Sequence, residues 1–486
     1  MNLKAKIPKC IFLGFMITFL STNMIANAAT NGGKCAKVGQ IQITKGVSFV
    51  CIKSGGKTVW KVKPTTANNK TASTATTTTS STSTTTTTVA KIQSFLAPSV
   101  ASDGLSTCEI QERSAHRITY PKGPYVGFPR RAINSFRNSG VLTYAMIPIE
   151  WADLQGNAKQ LQESVKQATL FKTWMEEASQ GRIQINWKIH PSWVRMAGAS
   201  SSWYSPRAFP ANVEFGDAAI AAADREFDFS NVDAVIYFLP ESQEVFLEGS
   251  QGTVDSGLER PFRSAEGNIP SFAVMGKYFE QPHKNHWSAW VHYSLIWMGM
   301  PELFDAQANR GGTRTIPIGN MSGFDIMSTQ DGPSRQLSGW LRFLLDWLEA
   351  GQVYCKKFEN VSTIKLSLEP VSNQSTKLKM VGVRISDTKM VIIESRRLDK
   401  RFDCDQLKST EVNGSIVYIV DSTQGHVTGE TLSLVAPNNR ALTWRDCNGP
   451  PQVDAIVRVG EFVDVLGLRI KVLESETYDL IEISRP

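Results

Sequence analysis

The feature that most constrains this chain is the run "PTTANNKTASTATTTTSSTSTTTTTVAK" at residues 64–91. A stretch of Thr and Ser with no apolar face has nothing to bury, so it cannot join a packed core and is expected to be an extended tether over residues 64–98, open to glycosylation. It divides the 486 residues into a short N-terminal part and a long remainder with room for two or three substantial cores. At 41% apolar and 20% charged residues, composition is ordinary for a soluble globular protein and names no function.

Before the tether lie two segments of different character. Lys4, Lys6 and Lys9 precede the apolar run "CIFLGFMITFL", and "STNMIANAA" follows with Ala26 and Ala28 spaced for cleavage, the pattern of a secretory signal over residues 1–28. A membrane anchor is the alternative, but the apolar run is short for a span. No later segment has about 18 uninterrupted apolar residues. The mature chain is therefore expected to be secreted or associated with the cell envelope, meeting a membrane only through the signal before cleavage.

Residues 31–63 contain seven Lys and no acid, as many positive charges as the whole formal charge of +7, so the basic character is local. Short alternating runs, "QIQIT" and "VSFVC", between Gly-containing turns predict a two- or three-stranded ribbon too small to be stable without a Cys35–Cys51 bridge. Such a ribbon could dock on anionic wall polymers or lipid headgroups. Equally, it could be a solvated spacer with lysines for solubility.

Cys10 leaves with the signal, and six cysteines remain. An even number in an exported chain suggests disulfides. If Cys35 pairs with Cys51, then Cys108, Cys355, Cys404 and Cys447 allow three pairings, and the sequence does not choose among them. No CxxC pair is present, which argues against a cysteine-based metal site.

From about residue 99 the pattern is globular. "GVLTYAMIPIEW" reads as a buried strand, and "AKQLQESVKQATLFKTWMEEASQG" as an amphipathic helix with Leu161, Val165, Ala168, Phe171, Trp174 and Met175 inward. "RIQINWKI" and "NVDAVIYFLP" read as strands, and "HWSAWVHYSLIWMGM" as a helix closed by Gly299 and Pro301. This order predicts a mixed α/β domain over 99–350. Beyond 351, short strands such as "MVIIESR", "SIVYIVD", "LRIKVLESE" and "YDLIEIS" between turn residues predict a β-sandwich-like domain over 351–486.

Taken alone, His292 on a helix lined with Trp287, Trp290, Leu295 and Trp297 is more often a packed, hydrogen-bonded residue than a ligand. Its surroundings shift the reading. The stretch "VHYSLIWMGMPELFD" resembles the secreted zinc metallopeptidases of the immune inhibitor A type, whose signature runs HExxHxxGLPDxxD. Aligned on His292, Gly299, Pro301, Glu302 and Asp305 fall into that pattern, while Tyr293 stands at the Glu position and Ile296 at the second His position. Downstream, "FDIMS" at residues 324–328 is similar to the family's WDIMS Met-turn, and Gly339, Trp340 and Leu341 to the opening of its next helix. The likeness runs in ordered blocks from about residue 115 to about residue 425.

The resemblance implies a zincin-like α+β domain whose catalytic centre is degenerate. Catalytic zinc needs three protein ligands and a water, with a carboxylate beside it to take the water's proton. Ile296 has no donor atom, and the Tyr293 phenol, titrating near about 10, is a poor base at neutral pH. His292 and Glu302 alone hold a metal weakly. The expectation is a pseudopeptidase with no cofactor, acting as an extracellular or cell-envelope binding module for a peptide or a cell-wall polymer, with no nucleic-acid partner. The alternative is an active metal-dependent peptidase with zinc in a rearranged site drawing on His283, His286 or Glu302.

Overall fold

The computed structural model describes residues 34–62 and 93–486, apart from 115–123, 131–135, 205–212, 305–319, 441–446, 448–454 and a few isolated positions or short groups. The expected signal at 1–28, most of the tether, His283 and Asp305 lie outside the described residues. The chain divides into two compact units, residues 1–89 and 90–486.

In the first unit, β1 (Ile41–Thr44), β2 (Val47–Ser54) and β3 (Lys57–Val62) form an antiparallel meander in that order. Lys34 bridges Val59 at the outer edge of β3, and the Cys35 amide donates to the Thr58 carbonyl at 3.2 Å. The expected Cys35–Cys51 disulfide is present, with 5.9 Å between its Cα atoms. It packs with Phe49 and Trp60, a cluster too small to hold three strands unaided.

The second unit is mixed α+β, with several sheets and few helices. Its first half is built on β4 (Gly140–Glu150), helix α1 (Ala158–Ala178), β5 (Ile183–Ile189), β6 (Val194–Arg195), helix α2 (Val213–Ala223), β7 (Ala234–Phe238), β8 (Ser250–Thr253), the small ribbon β9 (Phe262–Arg263) and β10 (Asn268–Ile269), β11 (Ser271–Val274) and helix α3 (His286–Trp297). The main sheet runs β5-β4-β7-β11-β8, with β6 beside β4. All its neighbours are parallel except terminal β8, which runs antiparallel to β11.

Period-two alternation sorts the two faces of this sheet. Leu142, Tyr144 and Met146 of β4 join Ile236 and Ala273 beneath α1 and α3, whereas Ala145, Ile147 and Ile149 join Tyr237 and Phe272 beneath α2. Helix α1 begins at a capping box formed by Asn157 and Gln160. Its inward stripe is Ala168, Phe171, Trp174 and Met175 as expected, but Val165 is exposed and Leu161 half-buried; Ser164 and Gln167 are buried in that part of the helix instead.

After helix α4 (Gly339–Leu344) come β12 (Val353–Lys357), β13 (Ile364–Leu368), β14 (Met380–Arg384), β15 (Lys389–Arg396), β16 (Gly414–Asp421), β17 (Leu432–Leu434), β18 (Phe462–Val465), β19 (Leu468–Ser475) and β20 (Asp479–Ser484). They form a five-stranded sheet, β12-β14-β15-β16-β17, and a four-stranded one, β13-β20-β19-β18. Val381, Val391 and Ile393 of the first share a core with Leu366, Ile470 and Ile481 of the second.

The opposite face of the five-stranded sheet, with Met380, Ile392, Ile416 and Tyr418, belongs to the same core as α1, α3 and α4. Beyond residue 350 the structure is mainly β, and the apolar core runs from the helices into it. A buried polar network does the same: Glu394 accepts from the Gly339 amide (2.6 Å) and the Tyr418 hydroxyl (2.9 Å) on one oxygen and from Arg396 Nε (2.6 Å) on the other. Of the three pairings open to the remaining cysteines, the fold takes Cys108–Cys355 and Cys404–Cys447, with Cα separations of 5.6 and 5.8 Å. Three disulfides fit an oxidising compartment. No described helix is long and apolar enough to cross a membrane.

Candidate functional site

Helix α3 is apolar on nearly every side, the pattern of an enclosed helix rather than a surface one. Trp287, Trp290, Val291, Leu295 and Trp297 are all buried. The Tyr144 hydroxyl donates to Ser294 Oγ at 2.8 Å, fixing the helix on β4. At its C-terminus the Met300 amide donates to the Leu295 carbonyl (2.9 Å) and the Gly299 amide to that of Ile296 (2.8 Å). This is a Schellman closure, and Gly299 takes its left-handed position at φ +86. The chain then turns back so that Glu302 comes up beside the helix.

His292 is 4% exposed. Its Nδ1 lies 2.8 Å from the Ile326 carbonyl. A carbonyl only accepts, so Nδ1 carries a proton, and the lone pair of the neutral ring is on Nε2. That nitrogen faces Glu302 Oε1 at 3.4 Å.

The turn that supplies the Ile326 carbonyl is held by Asp325, whose carboxylate accepts from the Met327 amide (2.8 Å) and the Ser338 amide (2.7 Å). Burial pushes the Asp325 carboxyl above its ordinary range, against these two donors. The Leu303 amide donates to the Met327 carbonyl at 2.9 Å, so the same turn also fixes the irregular segment that carries Glu302.

A residue that sequence reasoning did not single out completes the group. His426, on the turn after β16, lies with Nε2 3.6 Å from Glu302 Oε2 and accepts the Glu302 amide on Nδ1 at 3.1 Å. The Val427 amide donates to the Glu302 carbonyl at 3.1 Å. The Glu302 carboxylate thus stands between two imidazoles. A single His in the turn "QGHVTG", 124 residues from Glu302 in a region of different structure, carries no local signal of this role.

The other candidates point elsewhere. Tyr293 is half-buried, and a Cβ added at Gly249 would come within 2.6 Å of its hydroxyl, so the phenol is aimed at the segment entering β8. Ile296 packs against the apolar core. His286, six residues before His292, sits about 120° round the helix from it. Its ring lies among Phe238, Phe279 and Trp290, and burial pushes its pKa down to about 4. It lines a separate cleft of about 210 Å³ with Glu163, Gln167 and Lys284, to which neither His292 nor Glu302 contributes.

These residues do not fit a catalytic zinc. His292 Nε2 and Glu302 Oε1 face each other as two acceptors, with room for one proton or one cation between them. His426 could coordinate through Nε2 only by giving up its bond from the Glu302 amide, because a neutral ring that accepts on Nδ1 carries its proton on Nε2. Ile296 has no donor, and the Tyr293 hydroxyl is directed away. Among the described residues no group of three or more His, Cys, Asp or Glu is placed to hold a metal ion. In comparison with known proteins, no family model and no curated protein matches this chain.

Proposed function

We propose that the chain is an exported pseudopeptidase: a metallopeptidase-like, zincin-type body with its hydrolytic centre lost, retained as a binding module. The single observation that carries this is the environment of His292. It keeps a partner for each ring nitrogen, the Ile326 carbonyl in a Met-containing turn and Glu302 after a Gly-closed helix, while Tyr293 and Ile296 occupy the positions where the resemblance puts the proton acceptor and the second ligand. The helix therefore has the shape of a metal-holding element without the chemistry. Water activation at a metal needs both groups, and neither a phenol aimed at Gly249 nor an aliphatic side chain supplies them.

The binding partner that suits such a body is an extended peptide running beside terminal strand β8. Ser250 and Thr253 of that strand are buried and Gln251 accepts from the Trp297 indole at 2.8 Å, so recognition there rests on main-chain groups. The test of the reading is metal analysis of the purified mature protein together with casein digestion. No stoichiometric zinc and no chelator-sensitive cleavage are expected, and either one overturns the proposal.

The presence of His426 beside Glu302 favours a second reading, an active peptidase with a rearranged metal site. It requires the His426 ring to exchange its bond from the Glu302 amide for a metal. His292→Ala and His426→Ala would then each abolish metal uptake.

A further inference from the structure

The three-stranded unit at the N-terminus has two unlike faces. Its apolar cluster, Phe49, Cys51 and Trp60, lies on one. Alternation and register place the other residues opposite: Val50 pairs with Lys61, Ile52 with Val59, Ser54 with Lys57, and Lys34 bridges Val59. That second face therefore carries the half-buried aliphatics Val50, Ile52 and Val59, flanked by the exposed Lys34, Lys57 and Lys61. Lys53 pairs with Thr58 and belongs to the cluster's face. No acidic residue occurs between residues 31 and 63 to neutralise any of them.

We propose that this face is a docking surface for an anionic phospholipid bilayer. The charge calls for an anionic partner. The aliphatic row between the lysines selects among anionic partners, because a bilayer places phosphates directly above an apolar layer, whereas a soluble polyanion has nothing to cover Val50, Ile52 and Val59. Lysine stems lie along the apolar row and carry their ammonium groups out to the headgroups. The inference is independent of what the larger unit does.

The test uses the full mature chain, sedimented with vesicles of phosphatidylcholine alone and with phosphatidylglycerol added. Binding is expected only with the anionic lipid and is lost at high salt. The variant Lys34→Ala/Lys57→Ala/Lys61→Ala should weaken it on the order of a hundredfold, at roughly fivefold per lysine, and Lys53→Ala by much less. Ile52→Thr/Val59→Thr leaves the charge unchanged and keeps β-branched residues in the strands, yet should weaken binding severalfold. An intact Cys35–Cys51 bridge, read by mass spectrometry, confirms that each variant is folded. The proposal is overturned by equal binding to phosphatidylcholine, by no vesicle binding, by retention on a soluble polyanion alone, by full binding of the Ile52/Val59 variant, or by equal losses for Lys53→Ala and the triple variant.

Discussion

Replacing Glu394 by Gln tests how the two halves of the larger unit are joined. Both Glu394 and Arg396 have side chains with 0% exposure, and they form a salt bridge through Arg396 Nη2 in addition to the Nε bond. Among the described residues, the two Nη atoms of Arg396 have no other hydrogen-bond partner. Removing the carboxylate charge leaves a buried guanidinium without its counter-ion, a change that costs about 3–5 kcal/mol. The amide also cannot accept on both sides: either Arg396 or the Gly339 and Tyr418 donors must face an NH2 group. Asp325 and Asp403 remain in the field of Arg396 and keep the expected loss near the lower end, about 3 kcal/mol. Against a stability of about 5–15 kcal/mol for a folded domain, that is a large fraction. Urea unfolding followed by tryptophan fluorescence measures it, with buried Trp340, whose amide donates to the Tyr418 hydroxyl, among the reporters. Glu394→Gln/Arg396→Met should recover more than half of the loss, since no buried charge is then left unpaired. A single-variant loss below about 1 kcal/mol, or strictly additive losses, would refute the reasoning.

Other outcomes follow from the site and its surroundings. On the proposed reading, Tyr293→Glu/Ile296→His supplies a proton acceptor beside His292 and a donor one turn on, so zinc uptake, read by metal analysis, should rise from negligible to near-stoichiometric. Gly249→Ala puts a methyl 2.6 Å from the Tyr293 hydroxyl and 3.1 Å from the Phe279 ring, and should cost about 1–3 kcal/mol in urea unfolding, part of which Tyr293→Phe restores. Burial pushes the Asp403 carboxyl up to about 6 in the folded state, against bonds from the Asp399 and Arg335 amides. Its folded pKa exceeds its unfolded one, so the penalty for ionising it is present above about pH 6 and disappears as pH falls toward about 4. The stability of the wild type relative to Asp403→Asn should therefore improve by about 2 kcal/mol between neutral pH and pH 4.5, and a pH-independent difference would contradict this.

Much of the second unit was legible in the sequence because its signals are local. The 3.6-residue period gave helix α1 and the apolar run gave α3, and the β-branched runs gave β4, β7, β15, β16, β19 and β20 close to their observed positions. The misplaced residue in α1, Val165, shows the limit of that signal: periodicity names a stripe, but the neighbours that cover it decide how far the stripe extends. The pairing of Cys108 with Cys355 lies across 247 residues, and no local pattern encodes it.

By itself, then, the sequence determined the local grammar: a basic ribbon closed by its own two cysteines, and an apolar helix in which His292 is followed by Tyr293 and Ile296. Tertiary structure alone decided what meets what. It brought His426 to Glu302 from a turn of the mainly β half, aimed Tyr293 at Gly249, and turned His286 toward a cleft that His292 does not line. The physical reason is that hydrogen-bond periodicity and side-chain alternation act over a few residues, whereas these meetings are fixed by how sheets stack around a shared apolar core, a property of the whole chain.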